Sequence, residues 1–107
     1  ALVAAVSDGS YVYTSTQSKP KGRQLKNVQM GVAHLNVATQ TAFDTAKATM
    51  MGVELAKEWA NRPANHATPT ALGLAAKSLA QGAKFSCDVL GPKEVAKLGM
   101  GSFMSVA

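Results

Sequence analysis

Residues 55–70 have the sequence LAKEWANRPANHATPT, and they decide how the chain folds because they end one helix and begin the next. Pro63 disfavours the helical conformation at the residue before it, so a helix that arrives from the amino-terminal side ends near Asn61. Thr68 and Pro69 place a hydroxyl at a helix N-cap and a proline at the first helical position, where its missing N–H is not needed. The stretch therefore predicts a tight turn between two helices.

The helix before this turn is the longest element that the sequence predicts. Thr41 and Asp44 have the spacing of a capping box, so we expect the helix to begin at Thr41 and to run for about five turns. Glu54 and Glu58 lie four residues apart on its polar side, and we interpret them as a solvated face rather than as a metal-binding or acid–base pair. Its apolar stripe is wide and requires a partner surface; it comprises Phe43, Ala46, Met50, Val53, Ala56 and Ala60.

The helix that begins at Pro69 precedes two further predicted elements. Its apolar residues recur at helical spacing until Gly82, which marks its end. The following stretch, residues 85–89, alternates apolar and polar residues and predicts a short strand that buries Cys87. Pro92 then opens a brief helix that reaches Leu98 and is closed by Gly99.

The ends of the chain complete the predicted fold class. Residues 2–6 have apolar residues at helical spacing and predict a short helix, whereas Val28, Met30 and Val32 alternate and predict a strand. The apolar stretch 102–107 predicts a last strand. This order of elements predicts the α/β class, with helices packed on a partial sheet.

Composition excludes some classes of protein and leaves one charge question open. The 107 residues are 47% apolar and 16% charged, the profile of one globular unit, and no apolar run approaches the roughly 18 residues of a membrane-spanning helix. The formal net charge is +5, and one loop carries Lys19, Lys21, Arg23 and Lys26. This loop is either a solvated linker or a contact surface for nucleic acid phosphates.

The histidines and the cysteine do not occur at the spacings that are typical of catalytic or metal-binding sites. His34 and His66 stand 32 residues apart without a second ligand nearby, so we assign both of them structural roles. Cys87 alternates with apolar neighbours and is interpreted as a small core residue. On composition, periodicity and spacing alone, the chain contains no catalytic or metal-binding constellation.

The stretch 55–70 resembles the segment that opens the catalytic domain in the leucyl aminopeptidase family, also called the cytosol aminopeptidases. A second segment, residues 98–107, is similar to the Met-Gly-Ser-Phe segment that follows in that family. The resemblance implies that the chain is a piece of a longer, two-domain α/β protein. Three parts are then expected: the tail of an amino-terminal domain at 1–38, an interdomain helix at 39–62, and the start of the peptidase domain at 63–107.

Members of this family are cytoplasmic hexameric enzymes that remove amino-terminal residues, often leucine, from peptides with two divalent metal ions, Zn or Mn. In the family the catalytic and metal-binding motifs lie downstream of the Met-Gly-Ser-Phe segment. The resemblance therefore assigns no catalytic residue and no metal ligand here, and these 107 residues alone are expected to bind no metal and to be inactive. What it assigns is a structural signature, formed by Asn61, Pro63, Asn65, Thr68 and Pro69.

A non-catalytic function is the alternative to this interpretation. The loop from Lys19 to Lys26 would then contact DNA or another nucleic acid, or the chain would serve as an assembly module in a larger complex. A nucleic acid contact predicts affinity that falls with salt and with neutralisation of the four basic residues.

Overall fold

A computed structural model of the protein describes residues 1–83 and 85–106. Within this part of the chain there are five helices, and the chain divides into two compact units, Ala1–Pro63 and Ala64–Ala107. No helix in the described part is both long enough and apolar enough to cross a membrane. The helices are α1 (Leu2–Ser10), α2 (Val37–Ala60), α3 (Pro69–Ala83), α4 (Pro92–Lys97) and α5 (Gly101–Met104).

In the first unit α1 packs against α2, and α2 is one turn longer at its start than the sequence predicts. Asn36 is the N-cap: its Oδ1 accepts a hydrogen bond from the Thr39 backbone N–H at 2.8 Å. The predicted capping box is therefore wrong, because Thr41 and Asp44 lie inside the helix, where the Asp44 carboxylate accepts from the side chain of Gln40. The predicted end near Asn61 is confirmed.

The predicted strands are not formed in the described residues. Residues 28–32 and 85–89 have no regular structure, and the apolar stretch after Met100 contains helix α5 instead of a strand. A strand is stable only when its backbone groups pair with a neighbour, and no described segment provides one. The partial sheet is thus absent from the described part, and the α/β class is not confirmed. The last position of the third predicted strand, residue 107, lies outside the described residues.

The second unit confirms the predicted helix starts at Pro69 and Pro92, and the two helices end within one residue of the predicted positions. The Thr68 Oγ accepts from the Ala71 backbone N–H at 3.2 Å, so Thr68 caps α3 as its sequence predicts. Helix α4 ends at Lys97 with Leu98 as its C-cap, and Gly99 follows with a φ of 70°, a left-handed conformation that suits glycine. Ala80 and Val95, 5% and 7% exposed, are the buried apolar residues of the described part.

Large apolar side chains remain exposed in both units. Met51 of α2 is 73% exposed, and Leu74 of α3 is 65% exposed. The apolar surface of α2 that we expect to require a partner is therefore only partly covered by α1.

Candidate functional site

Arg23 and Glu54 form the centre of a polar contact between α1, the loop that follows it, and α2. The Glu54 Oε1 accepts a hydrogen bond from the Ser7 hydroxyl and another from the Arg23 Nη2, each at 2.5 Å. The Arg23 Nε also donates to the backbone carbonyl of Ser10 at 3.1 Å. One guanidinium therefore joins the end of α1 to the C-terminal third of α2.

A second group of contacts lies one turn further along α2, around Glu58. Its two carboxylate oxygens accept from the Tyr11 hydroxyl at 3.0 Å and from the Ser15 hydroxyl at 2.6 Å. The Asn61 amide donates to the Tyr11 hydroxyl oxygen at 3.4 Å. Asn61 of the signature thus links the end of α2 to the segment after α1.

Lys57 lies between these two groups and pairs with α1. Its ammonium forms an ion pair with the Asp8 carboxylate and lies 5.2 Å from the centre of the Tyr11 ring. Together these contacts form a continuous row of polar interactions, which we call the polar seam. It comprises Ser7, Asp8, Tyr11, Ser15, Arg23, Glu54, Lys57, Glu58 and Asn61.

The interpretation of Glu54 and Glu58 as a solvated face is wrong. The Glu54 side chain is 30% exposed, Glu54 accepts a hydrogen bond from Ser7 of α1, and Glu58 accepts from Tyr11 and Ser15 in the segment after α1. The three seam residues of α2, Glu54, Lys57 and Glu58, and its C-cap Asn61 are spaced three, four and seven positions from Glu54 and so share one helix face. That spacing is visible in the sequence, but the hydroxyl and cationic partners lie 31 to 50 residues away.

The seam changes the acidity of two of its members. Hydrogen bonds from Ser7 and then from Arg23 lower the pKa of the Glu54 carboxyl, because both favour its charged form. Partial burial raises the pKa of the Tyr11 phenol, the Asn61 amide opposes this, and the adjacent Glu58 carboxylate adds to it. Glu54 is therefore a stable anion near neutral pH, and Tyr11 remains a hydrogen-bond donor.

The basic loop does not present four equivalent cations. Lys19, Lys21 and Lys26 are exposed, whereas Arg23 is held by Ser10 and Glu54. Any nucleic acid contact of this loop would therefore depend mainly on the three lysines.

The part of the signature in the first unit ends α2, next to a cation–π contact between Arg62 and Trp59. The backbone N–H of Asn61 donates to the Lys57 carbonyl at 3.0 Å, and the Arg62 guanidinium lies 4.2 Å from the centre of the Trp59 ring. The Arg62 Nε is buried and has no acceptor among the described residues. Pro63 follows and is the last residue of this unit.

The part of the signature in the second unit begins α3. Thr68 caps the helix and Pro69 is its first residue, as the sequence predicts. Asn65 is exposed, and its side chain makes no hydrogen bond to any residue in 1–83 or 85–106. Its role in the turn stays a prediction.

The remaining candidates are placed apart. His34 and His66 are both exposed. Cys87 is half-buried beside Ala80 and Phe85 at a small cavity of about 240 Å³. Within the described residues, no three His, Cys, Asp or Glu side chains come together as a metal site would require.

Comparison with known proteins identifies the family. The sequence profile of the cytosol aminopeptidase family, catalytic domain, matches residues 54–107, and thus begins inside α2. A probable cytosol aminopeptidase of Acidovorax ebreus (strain TPSY) is 59% identical over all 107 residues, which are 21% of its own length. A similarly named protein of Polaromonas sp. (strain JS666 / ATCC BAA-500) is 57% identical over 100% of this chain, which is 21% of its own length. Another, of Legionella pneumophila (strain Corby), is 40% identical over 89% of this chain and 20% of its own length. No solved structure matches the chain.

These relatives are named as aminopeptidases, and the matched profile describes a catalytic domain. The chain belongs to the cytosol aminopeptidase family. It spans about a fifth of the length of the curated relatives that it matches. Its division into parts at 1–38, 39–62 and 63–107 stays a prediction.

Proposed function

We propose that this chain is one section of a leucyl aminopeptidase, a hydrolase that releases amino-terminal residues, often leucine, from peptides. The observation that carries the proposal is the match of residues 54–107 to the catalytic domain of the family. Two further findings support it: the 59% identity to the Acidovorax ebreus relative over the whole chain, and the signature that ends α2 and begins α3. The longer protein is proposed to be a cytoplasmic homohexamer.

Two divalent metal ions, Zn or Mn, are proposed to serve the longer protein. Such ions polarise the scissile carbonyl and lower the pKa of a bound water, which supplies a nucleophile at neutral pH. The described residues of this chain do not fit such a pair of ions. Glu54 and Glu58 are four residues apart, but their carboxylates already accept hydrogen bonds from the polar seam. The metal ligands are therefore proposed to lie outside these 107 residues.

The role that we propose for this chain is to hold the start of the catalytic domain in place. The profile match begins at Glu54, which is the residue that binds Ser7 and Arg23. The seam is thus proposed to fix α2 at the residue where the family profile match begins. Thr68 and Pro69 then start the next helix at a defined residue, which determines where the chain continues.

A domain exchange tests the proposed function. The matching 107 residues of the Acidovorax ebreus relative are replaced by this chain, and hydrolysis of a leucyl chromogenic amide is measured with and without a chelator. We expect a chelator-sensitive activity that returns when Zn²⁺ or Mn²⁺ is added. The matched control is the 107-residue chain alone, for which no hydrolysis is expected. Hydrolysis by the chain alone, or an exchanged protein that folds but is inactive when the unexchanged relative is active, would contradict the proposal.

A second candidate function, nucleic acid binding, is favoured by the exposure of three lysines in one loop. Lys19, Lys21 and Lys26 are exposed, while Arg23 is engaged with Glu54. With three phosphate contacts, the slope of log affinity against log salt would be roughly −3. The test is DNA binding by this chain and by a variant in which the three lysines are replaced by glutamine. Binding that is insensitive to both salt and these substitutions would eliminate this function.

A further inference from the structure

Arg62 is a half-buried cation that has no carboxylate beside it in the first unit. Residues 1–63, all of which the structure describes, contain two half-buried Lys or Arg side chains, Lys57 and Arg62. Lys57 pairs with the Asp8 carboxylate, whereas Arg62 forms no ion pair with any described residue. A positive charge that is partly removed from water is stabilised by an anion next to it. The missing anion is therefore the feature of Arg62 that requires an explanation.

The carboxylates of the first unit do not supply this anion, because each of them is already engaged. Glu58 is four residues before Arg62, a spacing that favours an ion pair on a helix, but both of its oxygens accept from hydroxyl groups. The guanidinium is thus left over when the internal contacts of the unit are complete. The four acidic residues of 1–63 and their partners are Asp8 with Lys57, Asp44 with Gln40, Glu54 with Ser7 and Arg23, and Glu58 with Tyr11 and Ser15.

The stack on Trp59 holds the Arg62 guanidinium in one place. Its Cζ lies 4.2 Å from the centre of the half-buried Trp59 ring. Nε is the one nitrogen of this side chain that is both buried and without an acceptor in the described part of the chain. The two Nη atoms donate to no described residue either, so they remain accessible to solvent. A stacked guanidinium keeps the outer edge of its planar fork available for an oxyanion, and Arg62 presents such an edge.

The charge of this site fits a carboxylate better than a phosphate group. A phosphate group carries close to two negative charges at neutral pH, and Arg62 supplies one positive charge. The nearest cation along the chain, Lys57, is already paired with Asp8. A carboxylate carries a single charge, and its two oxygens match two parallel N–H donors of a guanidinium. An Asp or Glu side chain therefore fits the site in both charge and geometry.

We infer that Arg62 pairs with an acidic side chain of the longer polypeptide, outside these 107 residues, and that this ion pair anchors the end of α2. The 107 residues are 21% of the Acidovorax ebreus relative, so most of that polypeptide is available to supply the carboxylate. A carboxylate on the same polypeptide is present at a high effective concentration, whereas a free carboxylate must bind from solution. The inference rests on family membership and holds whether or not the longer protein hydrolyses peptides.

Zero-length cross-linking tests the inference and identifies the partner. The sample is the Acidovorax ebreus relative that carries this chain in place of its own matching stretch. Arg62→Lys places an amine near the proposed carboxylate, and a carbodiimide joins the two as an amide while the carboxylate oxygen leaves in the urea. We expect peptide mass spectrometry to show position 62 joined to an Asp or Glu outside the 107 residues. Arg62→Gln, which has no amine, is the matched control, and the link between Lys57 and Asp8 is the positive control in both variants.

Thermal unfolding detects the ion pair without a cross-link. Lys47→Gln is the matched substitution, because Lys47 is an exposed cation of the same helix that lies 5.4 Å from the centre of the Phe43 ring. In the longer protein we expect Arg62→Gln to lower the melting temperature at least about twice as much as Lys47→Gln, since a half-buried ion pair contributes more than an exposed cation. In the 107-residue chain alone, where the proposed carboxylate is absent, the two losses are expected to be similar.

Three outcomes would overturn the inference. The first is an unlinked position 62 in the longer protein while Lys57 and Asp8 are joined, which is also the result expected if Arg62 binds a free carboxylate. The second is a link from position 62 to a carboxylate within the 107 residues, such as that of Glu58, which would make the partner internal. The third is an equal loss of melting temperature for Arg62→Gln and Lys47→Gln in the longer protein.

Discussion

The Arg23 Nη2 lies 2.5 Å from the Glu54 Oε1, and this ion pair joins the basic loop to the C-terminal third of α2. The two residues are 31 positions apart in the sequence, so the contact closes a long loop around the start of α2. The same oxygen accepts from Ser7, which adds α1 to the junction. Glu54 is therefore the residue on which three segments of the first unit converge.

Replacing Glu54 tests how much this junction contributes to stability. We expect Glu54→Ala to lower the free energy of unfolding of the first unit by about 1 kcal/mol, the lower range for a charge-assisted contact, because Arg23 and Glu54 are partly exposed. Denaturant unfolding followed by the fluorescence of Trp59 gives the measurement. Asp44→Ala is the matched control, since Asp44 lies on the same helix and, among the described residues, its side chain binds only Gln40. Equal losses for the two variants would refute a special role for Glu54.

The lowered pKa of Glu54 predicts how stability depends on pH. The carboxyl has an ordinary pKa of about 4.3 in the unfolded chain and a lower value in the folded chain, where Ser7 and Arg23 favour its anion. Its contribution is thus fully present above pH 4.3 and is lost as the pH falls through the folded value. We expect the stability of Glu54→Gln to fall less than that of the unaltered chain between pH 6 and pH 3. Parallel pH profiles would contradict this.

The start of α2 predicts a contrast between two neighbouring polar residues. Asn36 caps the helix through Thr39, so Asn36→Ala is expected to cost about 1 kcal/mol. Thr41 lies inside the helix, and Thr41→Ala is expected to be neutral or slightly stabilising. Thermal unfolding of the two variants, followed by circular dichroism, measures the difference. A larger loss at Thr41 would mean that the helix begins there.

We predict that the stability effects of substitutions at Gly73 and Val89, in the second unit, are coupled. A Cβ at position 73 would lie 3.0 Å from the Val89 Cγ1, which is closer than an ordinary contact. Alanine in a helix interior gains up to about 1 kcal/mol over glycine, but here the contact opposes that gain. We therefore expect Gly73→Ala to stabilise α3 more in a Val89→Ala background than in the unaltered chain, by about 0.5 kcal/mol or more. Hydrogen exchange of the α3 amides is measured in the unaltered chain, the two single variants and the double variant. If the stability changes of the two substitutions simply add, the contact between positions 73 and 89 is ruled out.

Local signals in the sequence predict the second unit better than the first. The cap at Thr68, the proline at position 69 and the glycine at position 99 each act within a few residues, so they determine the ends of α3 and α4 without help from distant segments. The polar seam is different, because Glu54 and Glu58 gain their partners only after α1 packs on α2. The sequence pattern around these two glutamates is equally compatible with a solvent-exposed helix face.

The predicted strands also depend on contacts with distant segments. The alternation of Val28, Met30 and Val32 is present in the sequence, yet a strand also requires a neighbour with matching backbone groups. The described residues contain none, and the segment remains without regular structure. Sequence reasoning likewise places the start of α2 too late, because it chooses Thr41 from the capping-box spacing and overlooks Asn36.

The stacking of Arg62 on Trp59 gives the chain an internal optical reporter. Trp59 is the sole tryptophan of the sequence, and its ring lies 4.2 Å from a guanidinium at the end of α2. All indole emission therefore originates from this one place, beside the residue where the first unit ends. The wavelength and intensity of that emission will report whether the last turn of α2 is folded. Arg62→Ala will change the emission without altering the rest of the helix.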